Sequence, residues 1–248
     1  RKVGVGIVTM FNSGHSGAIG HHCMLAVQED MVGMCTTAGG AVVVPTYGSE
    51  GRLGTNPIAI AAPAGKEAPI IFDAATSAIA GNKIRLAQRV DADMLSGWIS
   101  ELDGTPIMKE VPVRGRGEYH HLPMGGSREQ GSHKGYGFGL MSEILATMLA
   151  GALPTMLDED AGSRHYFAAY NISAFTDVDT FKQNMDKMLK MLKETPPAPG
   201  YERVLYPGLS ENEEMIERRL NGIPLHKEVV EWFDDISSEL NVPQLQRI

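Results

Sequence analysis

The chain has 248 residues, of which 43% are hydrophobic, and its formal net charge at pH 7 is −8. This length can bury one large core, or two modest cores that share an interface. The acidic balance and the lack of a basic stripe argue against a protein that grips nucleic acid electrostatically. Two cysteines, Cys23 and Cys35, are too few for a disulfide framework and lack zinc-ligand spacing. They predict buried thiols in a reducing compartment.

Targeting signals are not apparent in the sequence. No charged segment followed by an apolar run opens the chain, as a secretory leader would. The longest apolar helical stretch, 136–153, is interrupted by Glu143 and two further glycines, which argues against a membrane span. We therefore expect a cytoplasmic protein. The chain starts at Arg1 and enters an apolar alternation at Val3. Because natural N-termini are usually polar and frayed, we expect further residues upstream of Arg1.

In the first half of the chain, short apolar runs predict strands, and helical spacing predicts two helices. The expected strands are 3–9, 32–36, 58–62 and 70–72, and the expected helices run from Gly20 to about Asp30 and over 76–90. Asp73, Thr76 or Ser77 is expected to cap the second helix. Residues 91–126 are rich in proline and glycine, so we expect irregular structure with a hairpin at Asp103-Gly104.

The second half of the chain predicts more helix than strand. Apolar residues at helical spacing from Met141 to Ala152 predict an amphipathic helix that Pro154 stops. The other expected elements are a strand at 165–172, a helix at 181–192 and two acidic helices near 210–221 and 226–240. This alternation predicts an α/β fold, with a mixed sheet, helices packed on it and a helical C-terminal part. We expect one core over 1–248, with a segment boundary at the proline-rich connector 196–200.

The most informative motif is the glycine-rich run 131–137, which places His133 and Lys134 in a turn directly before the amphipathic helix. Glycine lets the backbone approach a ligand closely. A helix N-terminus offers unpaired N–H groups and the positive end of a dipole. Together with the charge of Lys134, these features predict a site for a phosphate or a carboxylate. The alternative is a flexible loop with a solvated lysine.

A second motif places His15 in a glycine-rich turn directly after the first expected strand. Such a placement suits a general acid or base, and the alternative is an ordinary surface histidine. His21 and His22 on the following helix have no carboxylate or cysteine partners at metal-ligand spacing. We therefore expect partly buried polar side chains there and no metal site.

Two further segments adjoin expected strands. One of them, which precedes a strand, contains Arg52, Thr55 and Asn56. It is either a structural turn or a site that binds a carboxylate or a carboxamide with Arg52 as the anchor. The small residues of 73–77 follow a strand and form either a simple helix cap or a ligand-facing helix start.

The familiar nucleotide-binding signatures do not match. Gly126 and Gly131 have P-loop glycine spacing, but Lys134 comes two positions late. Gly4 and Gly6 open a G-x-G, yet no third glycine follows in register. The sequence therefore indicates neither an ordinary kinase or ATPase nor a Rossmann dehydrogenase.

Taken in order, these clusters resemble the malate/L-lactate dehydrogenase family of NAD(P)-dependent oxidoreductases, which is unrelated to the Rossmann dehydrogenases. The family includes ureidoglycolate, sulfolactate and diketogulonate oxidoreductases and the piperideine-carboxylate reductase. The resemblance extends from residue 3 to about 240. It is carried by Ser13 to Ala18, Arg52 to Pro57, Ala61 to Pro63, Asp73 to Ser77, His133 to Gly137 and Tyr206 to Glu211.

The resemblance implies hydride transfer between NAD or NADP and a small 2-oxo or 2-hydroxy acid of the malate or lactate type, in a homodimer. His15 falls where the family has a proton-exchanging histidine. Arg52, Thr55 and Asn56 are the candidate substrate contacts. The implied cofactor contacts are Asp73, Ala74, Ala75, Thr76, Ser77, His133, Lys134, Gly208, Leu209 and Ser210.

The chain departs from the family pattern in three places. Gly14 and Ser16 flank His15 where the family commonly has Asn and Phe. Residues 38–44 replace a more polar segment, and the upstream Ser-His-Gly motif with its carboxylate-binding arginine has no match. The alternative is a degenerate relative that binds a nucleotide or an acid without turnover. A metal-dependent hydrolase is disfavoured by the spacing of the eight histidines.

Overall fold

The computed structural model describes residues 2–158 and 162–246. Its contacts divide the chain into two compact units, Arg1–Pro207 and Gly208–Ile248. The strands, all in the first unit, are β1 Val5–Ser13, β2 Met31–Ala38, β3 Ile58–Ala62, β4 Ile70–Ala74, β5 Ile99–Ser100, β6 His120–His121 and β7 Ser163–Asn171. The first unit also holds helices α1 Gly20–Val27, α2 Gly81–Arg89, α3 Ser132–Ala146 and α4 Val178–Lys193. The second unit holds α5 Leu209–Asn221 and α6 Lys227–Leu240.

The main sheet has the strand order β1-β7-β2-β3-β4, and all of its pairings are antiparallel. The predicted α/β class, a sheet with helices packed on it, is confirmed, but the sheet is antiparallel and not mixed as expected. Strand β7, the last in sequence, lies between β1 and β2. His165 therefore pairs with Met10 on one side and with Thr37 on the other. This insertion brings the end of β1 next to residues that lie far from it in sequence.

Helices cover the two faces of the sheet, because successive strand residues point to opposite sides. Cys35 of β2 packs in one cluster with Cys23 of α1, whereas Ala38 packs with Ala146 of α3. Gly33 allows α1 to lie directly on β2, since a Cβ there would overlap the backbone of Cys23. Both thiols are buried, as predicted. A hydrogen bond with Cys35, together with burial, raises the pKa of Cys23 well above its ordinary value, so Cys23 stays a thiol.

The second predicted helix starts later than the sequence suggested, at Gly81 rather than at residue 76. The helix starts later because the backbone around Thr76 and Ala78 forms hydrogen bonds with other segments, one of them donated by Met124. Thr76 N–H donates to Thr55 O (2.8 Å), Ala78 N–H to Leu122 O (2.8 Å) and Met124 N–H to Thr76 O (2.9 Å). These bonds keep 76–78 extended. None of the three expected residues caps α2, because its N-cap is Ala80, which makes no side-chain cap bond.

The helix predicted after the Lys134 turn also differs at both ends. It starts at Ser132, so His133, Lys134 and Gly135 lie in its first turn rather than in a preceding loop. Its N-cap Gly131 has φ 99°. The α-helix ends at Ala146, and a 3₁₀ turn at 148–150 replaces its expected last turns before Pro154. Glycine has a low helix propensity, but close packing favours it at Gly135 and Gly139, where a Cβ would lie 2.5 Å from Met124 and 3.2 Å from Thr76.

The remaining predicted elements lie close to their expected positions. Helix α4 is capped by Asp177, whose carboxylate accepts from Thr180 N–H at 2.8 Å. Asp186 of α4 accepts from three consecutive amides, Gly65, Lys66 and Glu67, at 2.9 to 3.0 Å. Within the described residues, no helix is long and apolar enough to cross a membrane. The division between the two units falls after the proline-rich connector 196–200.

Candidate functional site

His15 is exposed and lies in the loop that follows β1. Gly17 N–H donates to His15 Nδ1 at 3.0 Å. An imidazole nitrogen that accepts a hydrogen bond carries no proton, so the neutral ring in this conformation holds its proton on Nε2. The loop thus presents a histidine whose one nitrogen is held by the backbone and whose other nitrogen is left for a ligand.

His165 is the functional candidate that sequence reasoning missed. Its side chain is fully buried on β7. His165 Nδ1 lies 2.9 Å from Thr37 Oγ1, and Nε2 lies 3.1 Å from Gly14 O. A carbonyl can only accept, so Nε2 donates to Gly14 and Nδ1 accepts from the threonine hydroxyl. This ring therefore connects β2 to the residue directly before His15.

Two buried histidines make the stability depend on pH. Burial lowers the pKa of His121 and of His165 below the ordinary value of 6.5. The folded state therefore binds protons less tightly than the unfolded chain does. The free energy of unfolding begins to decrease when the pH falls to the pKa of histidine in the unfolded chain. The stability that the two neutral rings contribute is lost as the pH falls further, through their lower pKa values in the folded protein.

We therefore expect the Tm to fall between about pH 7 and about pH 5, above the range where carboxylates titrate. In His121→Gln, part of this pH dependence should disappear, because the variant has no imidazole there to protonate. Thermal melts across this pH range check the prediction. A Tm that is constant down to pH 5, or an unchanged slope in His121→Gln, would contradict it.

The segment 73–77 lies beside the start of α1. Asp73 Oδ2 accepts from Gly20 N–H at 2.7 Å, which gives the first amide of α1 a negatively charged partner. Gly20 permits this approach, because a Cβ there would lie 3.1 Å from the Asp73 carboxylate. This bond joins the expected cofactor segment to the helix that follows the His15 loop.

Thr76 and Ser77 are buried, and both hydroxyls bind the protein itself. Thr76 Oγ1 donates to Thr55 O at 3.1 Å, and Ser77 Oγ donates to Ile79 O at 2.7 Å. Ala74 and Ala75 are half-buried. The two hydroxyls therefore order the segment, and its backbone and alanines are left for a cofactor contact.

Asn56 is buried, with 1% of its surface exposed, and its amide is used internally. Its Nδ2 donates to Gly139 O at 3.1 Å and lies 3.4 Å from Glu143 Oε2, while Oδ1 accepts from Gly39 N–H at 3.4 Å. Of the two alternatives for this turn, the structure favours the structural one at Asn56. The asparagine fixes the turn that carries Thr55, and its buried side chain is not accessible to a substrate.

The other two candidate substrate residues lie nearer the surface. Arg52 is exposed and forms an ion pair with Glu50. Thr55 is half-buried, and its carbonyl accepts from both the amide and the hydroxyl of Thr76. Thr55 is thereby joined to the expected cofactor segment, whereas Arg52 already has a carboxylate partner.

The start of α3 is held against the rest of the site by glycines. A Cβ at Gly135 would lie 2.5 Å from both the nitrogen and the oxygen of Met124. A Cβ at Gly139 would lie 3.2 Å from Thr76 Oγ1. Because Met124 and Thr76 share a backbone hydrogen bond, these contacts place the first turns of α3 against the segment 73–77.

The charge at this helix start comes from Lys134. A Cβ at Gly131 would lie 3.5 Å from Lys134 Cδ and 3.8 Å from its Nζ, so the lysine side chain runs back over the N-cap. Lys134 and His133 are both exposed. A cationic side chain over the positive end of a helix dipole is the donor set that an anionic group such as a cofactor phosphate requires.

The three remaining candidate residues start the second unit. Gly208, with φ 99°, is the N-cap of α5, and Leu209 is the first residue of that helix and is buried. Ser210 Oγ donates to Glu211 Oε2 at 3.0 Å. They form another helix N-terminus that begins with glycine.

No cluster of three or more histidine, cysteine, aspartate or glutamate side chains in residues 2–158 and 162–246 is arranged to hold a metal ion. His22, for example, has its Nε2 3.4 Å from Ser16 O and its ring against Phe167. His21 and His22 stack edge to face, with ring centroids 5.6 Å apart.

The family model for malate/L-lactate dehydrogenase matches residues 1–234 of this chain. The chain belongs to this family. It is 34% identical to malate dehydrogenase of Pyrococcus abyssi over 99% of its own length and 69% of that protein. L-sulfolactate dehydrogenase of Methanocaldococcus jannaschii is 32% identical over 98% of this chain and 69% of its own length. The crystal structure of malate dehydrogenase from Entamoeba histolytica superimposes with a TM-score of 0.90 at 31% identity, covering 99% of this chain and 71% of that one.

Membership in the malate/L-lactate dehydrogenase family confirms the resemblance seen in the sequence. It also confirms the prediction of an oxidoreductase for 2-hydroxy acids at the level of the family, whose dehydrogenases use a nicotinamide cofactor. The residues around the start of α3 fit such a cofactor, because the exposed Lys134 and the positive end of the helix dipole together favour an anion.

Proposed function

We propose that this protein transfers a hydride between NAD or NADP and the C2 carbon of a small 2-oxo or 2-hydroxy acid, as malate and lactate dehydrogenases do. The observation that carries the proposal is the linkage of the His15 loop to the segment 73–77 through the Gly20–Asp73 hydrogen bond. An exposed histidine and the expected cofactor segment thereby belong to one hydrogen-bonded assembly.

The cofactor, when bound, supplies or accepts the hydride, and the protein handles the proton and the geometry. In the direction of reduction, His15 acts as an imidazolium: Nε2 gives its proton to the carbonyl oxygen as this becomes a hydroxyl, and the neutral ring keeps its other proton on Nδ1. In the opposite direction Nε2 takes the proton back. The bond from Gly17 N–H to Nδ1 orients the neutral ring before the exchange and opens when Nδ1 takes up a proton. Correct placement of the donor relative to C2 is the main contribution that the chain makes.

The proposed cofactor contacts are the backbone of 73–77, His133 and Lys134 at the start of α3, and Gly208 to Ser210 at the start of α5. A helix N-terminus with a lysine over it, as at the start of α3, suits a negatively charged phosphate of a dinucleotide. Competitive titration with NADH and NADPH, followed by the fluorescence of the reduced nicotinamide, identifies which cofactor is preferred.

Lys134→Ala is expected to raise the Kd of the cofactor by about 10- to 100-fold, the loss of one charge-assisted hydrogen bond, with a much smaller change in kcat. The matched control is Lys190→Ala, which removes an exposed lysine of α4 whose partner is Glu194. The control should bind the cofactor like the wild type. Equal affinities for the Lys134 variant and the wild type would remove Lys134 from the site.

For the substrate, Thr55 and Arg52 are proposed to contact the carboxylate, and Asn56 to hold the turn that carries them. A panel of 2-oxo acids with different side chains, assayed by loss of absorbance of the reduced cofactor, identifies the acid. We further propose a cytoplasmic homodimer, as the family resemblance implies. Size-exclusion chromatography with light scattering tests the dimer directly.

A further inference from the structure

The strongest unassigned feature of the first unit is a buried histidine beneath an exposed one. We propose that His165 is a positioning residue. It fixes the loop that carries His15 and so determines the position of the proton donor. The kinetic part of this proposal rests on the proposed function, whereas the structural part does not.

The His165 ring links the loop after β1 to β2 by a side chain, in addition to the pairing of both strands with β7. Thr37 lies on β2, paired directly with His165 across the sheet. The Gly14 carbonyl lies at the far side of the ring, one residue before His15. With one nitrogen accepting from Thr37 and the other donating to Gly14, both hydrogen-bonding positions of the neutral imidazole are filled. The loop is thus tied to a central strand by a fully buried side chain.

The loop has few other restraints. A Cβ at Gly14 or at Gly17 would meet nothing within 4 Å, and His15 itself is exposed. Among the described residues, a second side chain that binds this loop is His22, whose Nε2 lies 3.4 Å from Ser16 O and whose ring is only partly buried. Of these two histidines, His165 makes the shorter hydrogen bond to the loop and is the more deeply buried.

The environment of His165 keeps it neutral, as this role requires. Its ring packs beside Phe167 at a centroid distance of 5.8 Å. The titratable groups that face it are His15 and His22, and a positive charge on either of them disfavours a proton on His165. A protonated ring would carry N–H on both nitrogens and lose its acceptor for the Thr37 hydroxyl in the present orientation.

Removing the anchor should mainly affect catalysis. A displacement of a catalytic group by about 1 Å can cost roughly 10²-fold in rate. In His165→Leu we expect kcat to fall by about this factor, while the Kd of the cofactor stays within about threefold of the wild type. In His165→Gln, the side-chain amide can reach Gly14 from nearly the same place. This variant should recover most of the rate.

Amide hydrogen exchange at residues 14–17, measured by NMR, provides a readout that needs neither substrate nor cofactor. In the wild type we expect the Gly17 amide to be protected by its bond to His15 Nδ1. We expect His165→Leu to lose this protection and His165→Gln to keep it. If the wild-type protein reduced no 2-oxo acid, the proposed function would fail, yet the exchange data would still decide whether His165 orders the loop.

The stability control is Asp186→Ala, which removes the carboxylate that binds three amides at 65–67, a segment outside the candidate site. It should lower the Tm without changing kcat or exchange at 14–17.

If His165→Leu does not fold, Thr37→Val replaces it, and we then expect a smaller loss of protection and a smaller loss of rate. Wild-type protection of Gly17 in the leucine variant, or in the valine variant used in its place, would overturn the proposal. So would a loss of kcat no larger than that of the Asp186 variant.

Discussion

Replacing His15 with alanine is expected to lower kcat by about 10²- to 10⁴-fold, while the Kd of the cofactor stays within about threefold of the wild type. The reason is that His15 is proposed to exchange a proton with the substrate oxygen in the transition state, and no water molecule is positioned as well as a held imidazole. Because the side chain is exposed, its removal should change the Tm by little. Steady-state kinetics and fluorescence titration with the reduced cofactor measure the two quantities separately.

The matched control is His21→Ala, which removes an exposed histidine from the following helix without touching the loop. The control should keep a kcat close to that of the wild type. Two results would contradict the role of His15. One is a His15→Ala enzyme with nearly full kcat, and the other is a variant whose only defect is weaker cofactor binding.

Gly135→Ala is expected to destabilise the protein by about 1–3 kcal/mol, the usual cost of overpacking. A Cβ at this position would lie 2.5 Å from the Met124 backbone nitrogen and oxygen, and backbone atoms cannot move away as a flexible side chain can. The start of α3 must then shift away from Met124. Since Lys134 is the neighbouring residue, we also expect weaker cofactor binding. Thermal melts and cofactor titration test both effects.

Gly137→Ala is a particularly close control for this prediction. It makes the same substitution in the same helix, but a Cβ there meets nothing within 4 Å. Because alanine favours the helix over glycine by roughly 0.5–1 kcal/mol, the control should be slightly stabilised. If both variants lost stability equally, the contact with Met124 would not explain the effect, since helix propensity predicts a gain in both, and the described packing of α3 would be wrong.

Local pattern in the sequence was sufficient to name candidate site residues. The turn at His15, the segment 73–77 and the lysine at the start of α3 were predicted from glycines, strand ends and charge. The five strands of the main sheet were also predicted, because their apolar runs are short and bounded by turn residues. These signals are local, so they can be recognised in the sequence without knowledge of the fold.

The parts that the sequence did not reveal depend on contacts between distant residues. His165 binds the carbonyl of Gly14, which lies 151 positions earlier, and nothing in its own neighbourhood indicates this partner. Asn56 was a candidate substrate contact because its turn has polar side chains. Its burial beneath Glu143 and Gly139 could be seen only once α3 was in place.

The predicted starts of two helices, α2 and α3, were wrong for the same reason. Residues 76–80 have helical spacing, yet their backbone groups pair with Thr55, Leu122 and Met124, and tertiary hydrogen bonds overrode the local preference. The glycine-rich run 131–137 suggested a turn before α3. Its residue Gly135 lies instead inside the helix, as does Gly139, and the absence of their side chains allows close contact with Met124 and Thr76.

The central claim is that hydride passes directly between a reduced nicotinamide and C2 of a 2-oxo acid on this protein. The most direct measurement uses NADH and NADPH deuterated at both C4 positions, with a panel of 2-oxo acids, and analyses the products by mass spectrometry. We expect one 2-hydroxy acid to carry a deuterium at C2, and to be formed far more slowly by His15→Ala. Saturable cofactor binding with no labelled hydroxy acid from any member of the panel would contradict the claim.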